Sequence, residues 1–283
     1  MSSVETFGQY ETAWCPGCGN FSILKAVKQA LAGLGLEPHQ VLAVSGIGQA
    51  AKTPQYYNCN MFNGLHGRSL PPAIGAKLAN PELTVLTHSG DGCNYGEGGN
   101  HFLAALRRNP DITMLVHDNR IYGLTKGQAS PTSEQGTKTK AQPAGQASEP
   151  INPVAVAVAM HAGFVARGFS GEVDHLAELI RRGIEHKGLA LIDIFQPCVS
   201  FNKVNTFAWY KQRCYKLGED HDPRDWGQAM ARAQEFGERI PIGVIYENDR
   251  PPFESLVPGF DGRPLVRRTV DTAALKEVIA SFG

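Results

Sequence analysis

A chain of 283 residues with 42% hydrophobic residues can bury one large α/β core and carry an extension. Lys+Arg and Asp+Glu are both 27, so the formal net charge is zero and electrostatics provides no case for nucleic acid or an anionic membrane as a partner. The first six residues have neither the basic nor the apolar region of a signal peptide, and the longest apolar run, 153–160, is too short to span a bilayer, so a cytoplasmic protein is expected.

In chain order, Asn20 is expected to cap a helix with Ile23, Leu24, Val27 and Leu31 on its inner face. Val41–Ser45 reads as a buried strand, and Pro71-Pro72 opens a helix running through Leu78. Leu83–His88 is the second strand, followed by a helix around 101–107, and Ile112–His117 is the third strand. Helical patterns at 154–161 and 173–186 flank a strand at 164–167, and Leu189–Phe195 is the last strong strand. Continuous apolar strands alternating with helices predict a mostly parallel sheet covered by helices on both faces. There is no internal repeat and no low-complexity tract.

Two stretches break this rhythm. Residues 119–150 are rich in Gly, Thr, Ser, Gln and Lys, and a loop of about 30 residues inside a compact domain is usually functional. Residues 203–283 hold five prolines between 241 and 264 and one plausible helix near 226–238. The expected division is therefore a domain over 1–202 and an extension over 203–283 that packs on the domain or on a partner.

The distinctive groups all follow strands: Gly46-Ile47-Gly48 after the first, Gly90-Asp91-Gly92 after the second, Asp118-Asn119 after the third, Pro197-Cys198 after the last. Open parallel sheets bind ligands at that edge. Asp91 and Asn119 each offer a hard oxygen, as Mg²⁺ on a diphosphate prefers; the bland reading is two ordinary strand-to-helix turns. Cys15-Pro-Gly-Cys18 in a reducing compartment reads as an iron–sulfur, zinc or redox pair, and all three stay open on spacing alone.

Taken together, Trp14-Cys-Pro-Gly-Cys-Gly19, Ser45-Gly-Ile-Gly48, Leu65-His-Gly-Arg68, Gly90-Asp-Gly92, 118–128, Ser130-Pro-Thr132, Gln196-Pro-Cys-Val199 and Ile240–Tyr246 resemble the beta subunits of 2-oxoacid:ferredoxin oxidoreductases over most of residues 10–258. The resemblance implies a thiamine-diphosphate-binding fold with a C-terminal extension. It implies coenzyme A-dependent oxidative decarboxylation of a 2-oxoacid, with electrons passing through a 4Fe–4S cluster to ferredoxin. It also implies an alpha subunit that supplies the missing half of the site, in an α₂β₂ assembly.

By the same resemblance, Asp91, Asn119 and the carbonyl of Ile121 would bind Mg²⁺. Gly46, Ile47, Gly48, Gly90, Gly92, Gly123, Leu124 and Thr125 would contact the cofactor. His66 and Arg68 would lie near the diphosphate or the substrate entrance, with a structural ion pair as the equal alternative for Arg68. Lys52 and Lys126 would approach the substrate, where a lysine pairing with a distal carboxylate favours 2-oxoglutarate; the bland alternative is that both face solvent. Cys15, Cys18 and Cys198 would hold the cluster. Most relatives place a cysteine after Gly-Ile-Gly, but this chain has Gln49, so Cys59 is the leading candidate for the fourth thiolate and Cys93 the next. A non-redox thiamine enzyme and a zinc-bearing scaffold are the competing readings. The first leaves the cysteines unused, the second the diphosphate motifs.

Overall fold

The computed structural model describes residues 2–269 and 271–282; Met1, Val270 and Gly283, at the N-terminus and in the C-terminal extension, lie outside them. Helix α1 (Asn20–Gly33) buries Ile23, Leu24, Val27 and Leu31 along one face, as the spacing predicts. Gly19 occupies the cap position, however, and Asn20 is the first helical residue. The chain leaves the helix through Gly35, whose φ of 67° suits a residue without Cβ.

Strand β1 (Val41–Ser45) follows, then the edge strand β2 (Asn60–Asn63), helix α2 (Leu70–Ala79), strand β3 (Thr84–Gly90), helix α3 (Gly99–Arg108) and strand β4 (Thr113–Asp118). The long loop contains only a two-stranded hairpin, β5 (Ile121–Tyr122) with β6 (Gln128–Ala129). Helix α4 (Pro153–Ala159), strand β7 (Phe164–Phe169), helix α5 (Val173–Glu185) and strand β8 (Ala190–Phe195) complete the first 202 residues.

The main sheet has eight strands. The extension supplies helix α6 (Phe207–Arg213), strand β9 (Cys214–Lys216), helix α7 (Trp226–Gln234) and strand β10 (Ile240–Glu247), giving the order β2-β1-β3-β4-β8-β7-β10-β9. All neighbours are parallel except β7 and β10. Short α8 (Phe253–Leu256) and the exposed α9 (Thr272–Ala280) follow. Pro241 and Gly243 obscure β10 in the sequence, yet pairing with β7 begins only at Gly243, so the missing proline N–H breaks no bond there.

Strands β4 and β8 are buried at every position. Helices α1 and α5 cover one face through Ile23, Val27, Leu176 and Ile180. Helices α2, α3, α4 and α7 cover the other through Leu70, Phe102, Leu106, Val158 and Ala229. Each such fully buried Leu or Ile contributes about 1.5–3 kcal/mol, which explains why the strands read as mostly apolar runs. Strands β1, β3 and β4 advance across the sheet, while β7 to β8 steps back toward them. The order therefore reverses between β4 and β8, and loops at the C-terminal ends of both strands frame a crevice there.

No helix among the described residues is long and apolar enough to cross a membrane.

Candidate functional site

Two hollows open at this crevice. The first is lined by Ile47, Gly48, Gln49, His66, Gly90, Asp91, Gly92, Cys93, Asn119, Ile121, Gly123, Leu124 and Thr125, among others. Most of the expected cofactor contacts thus meet in one place; Gly46 lies just behind it, where an added Cβ would collide with Cys93 Sγ. Gly48 has a φ of 122° and open space where a side chain would be, so its backbone is free to meet a ligand. At Gly92 an added Cβ would strike the Tyr122 ring. A π-helical turn over Gly92–Glu97 then brings Glu97 beside Tyr122 and His66, which line the hollow. The Glu97 carboxylate accepts from Tyr122 Oη at 3.2 Å and lies 3.4 Å from His66 Nδ1.

Beneath the hollow lies a pair of buried carboxylates. Asp91 Oδ2 accepts from Ser130 Oγ at 2.5 Å and Thr132 Oγ1 at 2.7 Å. Thr132 Oγ1 also lies 2.8 Å from Asp118 Oδ1. One hydroxyl has one proton, so it cannot serve two ionised acids at once. Burial, reinforced by the like charge of Asp118, pushes Asp91 up to about 7. A dication at Asp91 would remove that cost. Asn119, whose Oδ1 accepts the Ile121 N–H at 3.0 Å, and Ile121 line the same hollow, so the oxygens available beside the carboxylate are hard donors, as Mg²⁺ demands.

The second hollow is lined by Trp14, Cys15, Cys18, Asn20, Gln49, Asn119, Gly123, Gln196, Cys198 and Ser200, among others. Gln49, Asn119 and Gly123 line both hollows, so the two adjoin. Donors already face the sulfurs: Ser200 Oγ to Cys15 Sγ at 3.1 Å and Gln196 Nε2 to Cys18 Sγ at 3.4 Å. Burial, aided by Cys198 and Cys15, pushes the Cys18 thiol up to about 11. Among the described residues no three His, Cys, Asp or Glu side chains stand together as a ready single-ion site. Three thiols around one hollow, with donors to sulfur, fit a polynuclear sulfide cluster better than a lone cation.

Cys59 is a correction to the sequence-based expectation. It lines a separate surface hollow with Tyr10, Pro38, His39 and Asn58, and its thiol faces the Pro54 carbonyl at 3.9 Å. The helical turn Ala50–Tyr56 leads the chain away to the outer edge of the sheet, so proximity in sequence to Gln49 does not become proximity in space. Cys93 lines the first hollow and not the second, with Sγ accepting the Gly67 N–H at 3.2 Å.

The expected substrate residues divide. His66 lines the first hollow. Arg68 is exposed and clasps the Gly67 and Glu97 carbonyls. Lys52 is half-buried in the turn after β1 and lines neither hollow. Lys126 is exposed immediately beyond Thr125, with a left-handed φ of 80°. Sequence reasoning placed Asp118 at the ligand edge but missed its pairing with Asp91; it also missed Glu97, and Asn20, whose position at a helix start suggested a cap.

Comparisons with known proteins place the chain in a family. Residues 39–194 match the family described as thiamine pyrophosphate enzyme, C-terminal TPP binding domain. Residues 198–262 match the C-terminal part of the pyruvate ferredoxin oxidoreductase beta subunit. The chain is 47% identical over 246 residues to 2-oxoacid:ferredoxin oxidoreductase 1, subunit beta, of Aeropyrum pernix, covering 83% of this chain and 77% of that one. It is 44% identical over 192 residues to the 2-oxoglutarate oxidoreductase subunit KorB of Mycobacterium tuberculosis, covering 68% of this chain and 52% of that one. Among solved structures, the 2-oxoglutarate:ferredoxin oxidoreductase from Magnetococcus marinus with 2-oxoglutarate, coenzyme A and succinyl-CoA bound is similar with a TM-score of 0.89 and 34% identity, covering 100% of this chain and 96% of that one.

Proposed function

Because this chain belongs to the beta subunits of the 2-oxoacid:ferredoxin oxidoreductases, we propose that its two hollows are the diphosphate half of a thiamine site and the adjoining seat of a 4Fe–4S cluster. The overall reaction converts a 2-oxoacid and coenzyme A into acyl-coenzyme A, CO₂ and a proton, and its two electrons leave one at a time to ferredoxin. The observation that carries the reading is the shared wall of Gln49, Asn119 and Gly123. Electron donor and first acceptor would be neighbours with no solvent layer between them.

Thiamine diphosphate, when bound, supplies carbanion stabilisation and an electron sink. This chain's residues hold and orient it. The Gly48 and Gly90–Gly92 backbones receive the diphosphate end, and Asp91, Asn119 and the Ile121 carbonyl hold Mg²⁺. His66, paired with Glu97 and packed on Tyr122, borders the reacting end with a group able to hold a proton. Cys15, Cys18 and Cys198 would hold the cluster, and Gln49, whose Oε1 is buried without a partner, lines the same hollow. A non-redox thiamine enzyme would leave this cysteine hollow without a use.

The pyrimidine side is completed by the alpha subunit, so the chain alone is half a site. Anaerobic co-purification with the alpha subunit, assayed with a 2-oxoacid panel and a viologen dye, is expected to give turnover that the isolated chain lacks. Turnover by the isolated chain would refute the half-site reading.

The favoured substrate is 2-oxoglutarate. Lys126 follows Leu124 and Thr125, which line the thiamine hollow, and a charged contact to a distal carboxylate is worth ~1.5–3 kcal/mol. Lys126→Ala is therefore expected to lower the 2-oxoglutarate to pyruvate ratio of kcat/KM by about 10- to 100-fold. A higher kcat/KM for pyruvate, together with an unchanged ratio in the variant, would sink this assignment.

A further inference from the structure

A line of hydrogen-bonded side chains crosses the sheet and ends at the cysteine hollow. Tyr57 Oη lies 3.1 Å from His88 Nε2, His88 Nδ1 lies 3.4 Å from His117 Nε2, and His117 Nδ1 lies 2.8 Å from Asn20 Oδ1. Both histidines have no exposed surface and Asn20 is 1% exposed. No carboxylate faces either ring in this line; burial keeps both imidazoles neutral, with one N–H each.

An amide oxygen only accepts, so His117 donates from Nδ1. Its Nε2 then accepts from His88 Nδ1–H, and His88 Nε2 accepts the Tyr57 hydroxyl proton. With Oδ1 engaged by His117, the Asn20 Nδ2 amide group is left over, buried and without a partner. Buried donors rarely stay unpaired, and each exception points to something that accepts there. Asn20 lines the hollow of Cys15, Cys18 and Cys198. The helix start also places the positive end of α1 at this spot.

We propose that Asn20 donates a hydrogen bond from Nδ2 to a sulfur of the cluster, and that His117, His88 and Tyr57 act as positioning residues that hold the amide in this orientation. The inference rests on the cluster assignment above. A reduced cluster carries one more negative charge than an oxidised one, so it gains more from a donor. Asn20 therefore raises the potential of the first acceptor and eases electron transfer onto it.

The test is a redox titration of the complex with the alpha subunit, followed by the paramagnetic signal of the reduced cluster. Asn20→Leu removes both amide groups; Asn20→Asp keeps the shape and the His117 bond but offers no donor. Both variants are expected to retain iron, to lower the one-electron equilibrium constant at least tenfold, a shift of ~59 mV to more negative potential, and to lose an exchangeable-deuteron coupling seen in the parent enzyme in heavy water. Unchanged potential and coupling in a variant that keeps its iron overturns the proposal. Loss of iron from both variants also overturns it, since Asn20 would then hold the site's shape rather than tune it. A parent complex without iron overturns the cluster assignment itself, and is read before any variant.

Discussion

Asp91→Asn is expected to weaken Mg²⁺-dependent thiamine diphosphate binding by more than about 100-fold, while making the cofactor-free chain harder to melt. Losing a partner behind a metal ligand typically costs 10- to 100-fold in metal affinity, and losing a charged oxygen that faces the dication costs more. The stability gain has a separate cause. Asp91 and Asp118 are both buried and share the single proton of Thr132. Burial raises both carboxyls; the like charge of Asp118 adds to it at Asp91, which reaches about 7, while Arg120 and the hydrogen bonds from Thr132 and Asp91 hold Asp118 back. A carboxyl that binds its proton more tightly when folded makes stability fall as pH rises from the ordinary aspartate range through about 7.

An asparagine escapes that cost. The gain of the variant over the parent is therefore larger at pH 8 than at pH 5, by a few degrees of Tm, since about 1 kcal/mol moves Tm ~2–4 °C in a domain of this size. Calorimetric titration with thiamine diphosphate and Mg²⁺ checks the first half, and thermal melts at the two pH values check the second. Unchanged affinity removes Asp91 from the Mg²⁺ site. A variant that melts lower at pH 8 removes the strained acid pair.

Cys198→Ser is expected to strip most of the iron from the complex and to lower ferredoxin reduction by more than about 100-fold, because a serine oxygen is a hard and poor substitute for thiolate on an iron–sulfur cluster. Cys59→Ser, by contrast, is expected to leave iron content and the paramagnetic spectrum unchanged. Its thiol opens to a different hollow, beside Tyr57 and Asn58. Iron analysis and the visible spectrum near ~400 nm separate the two outcomes. Retained iron in Cys198→Ser would displace Cys198 from the cluster; lost iron in Cys59→Ser would reinstate the thiolate that the fold has moved away.

The strands β1, β3, β4 and β8 were legible in the sequence because strands buried on both faces are mostly apolar, and the motif at each strand end was legible because a parallel sheet gathers those ends on one edge. The glycines around Asp91, the position of Asn119 and the pairing of Cys15 with Cys18 are local patterns, and local patterns survive in one dimension. Strand β10 was not legible, since Pro241 and Gly243 contradict a strand locally and only pairing with β9 at Ile240–Ile242 and with β7 from Gly243 outweighs them. The separation of Cys59 from the other thiols, the contact of Asp91 with Asp118 and the line from Tyr57 to Asn20 were decided by the tertiary structure alone. Each depends on which strands become neighbours: β3 beside β4 brings His88 to His117, while β2 at the edge carries the preceding Cys59 outward. Neighbour choice is settled by burial summed over whole strands and helices, and no single residue's type records that sum.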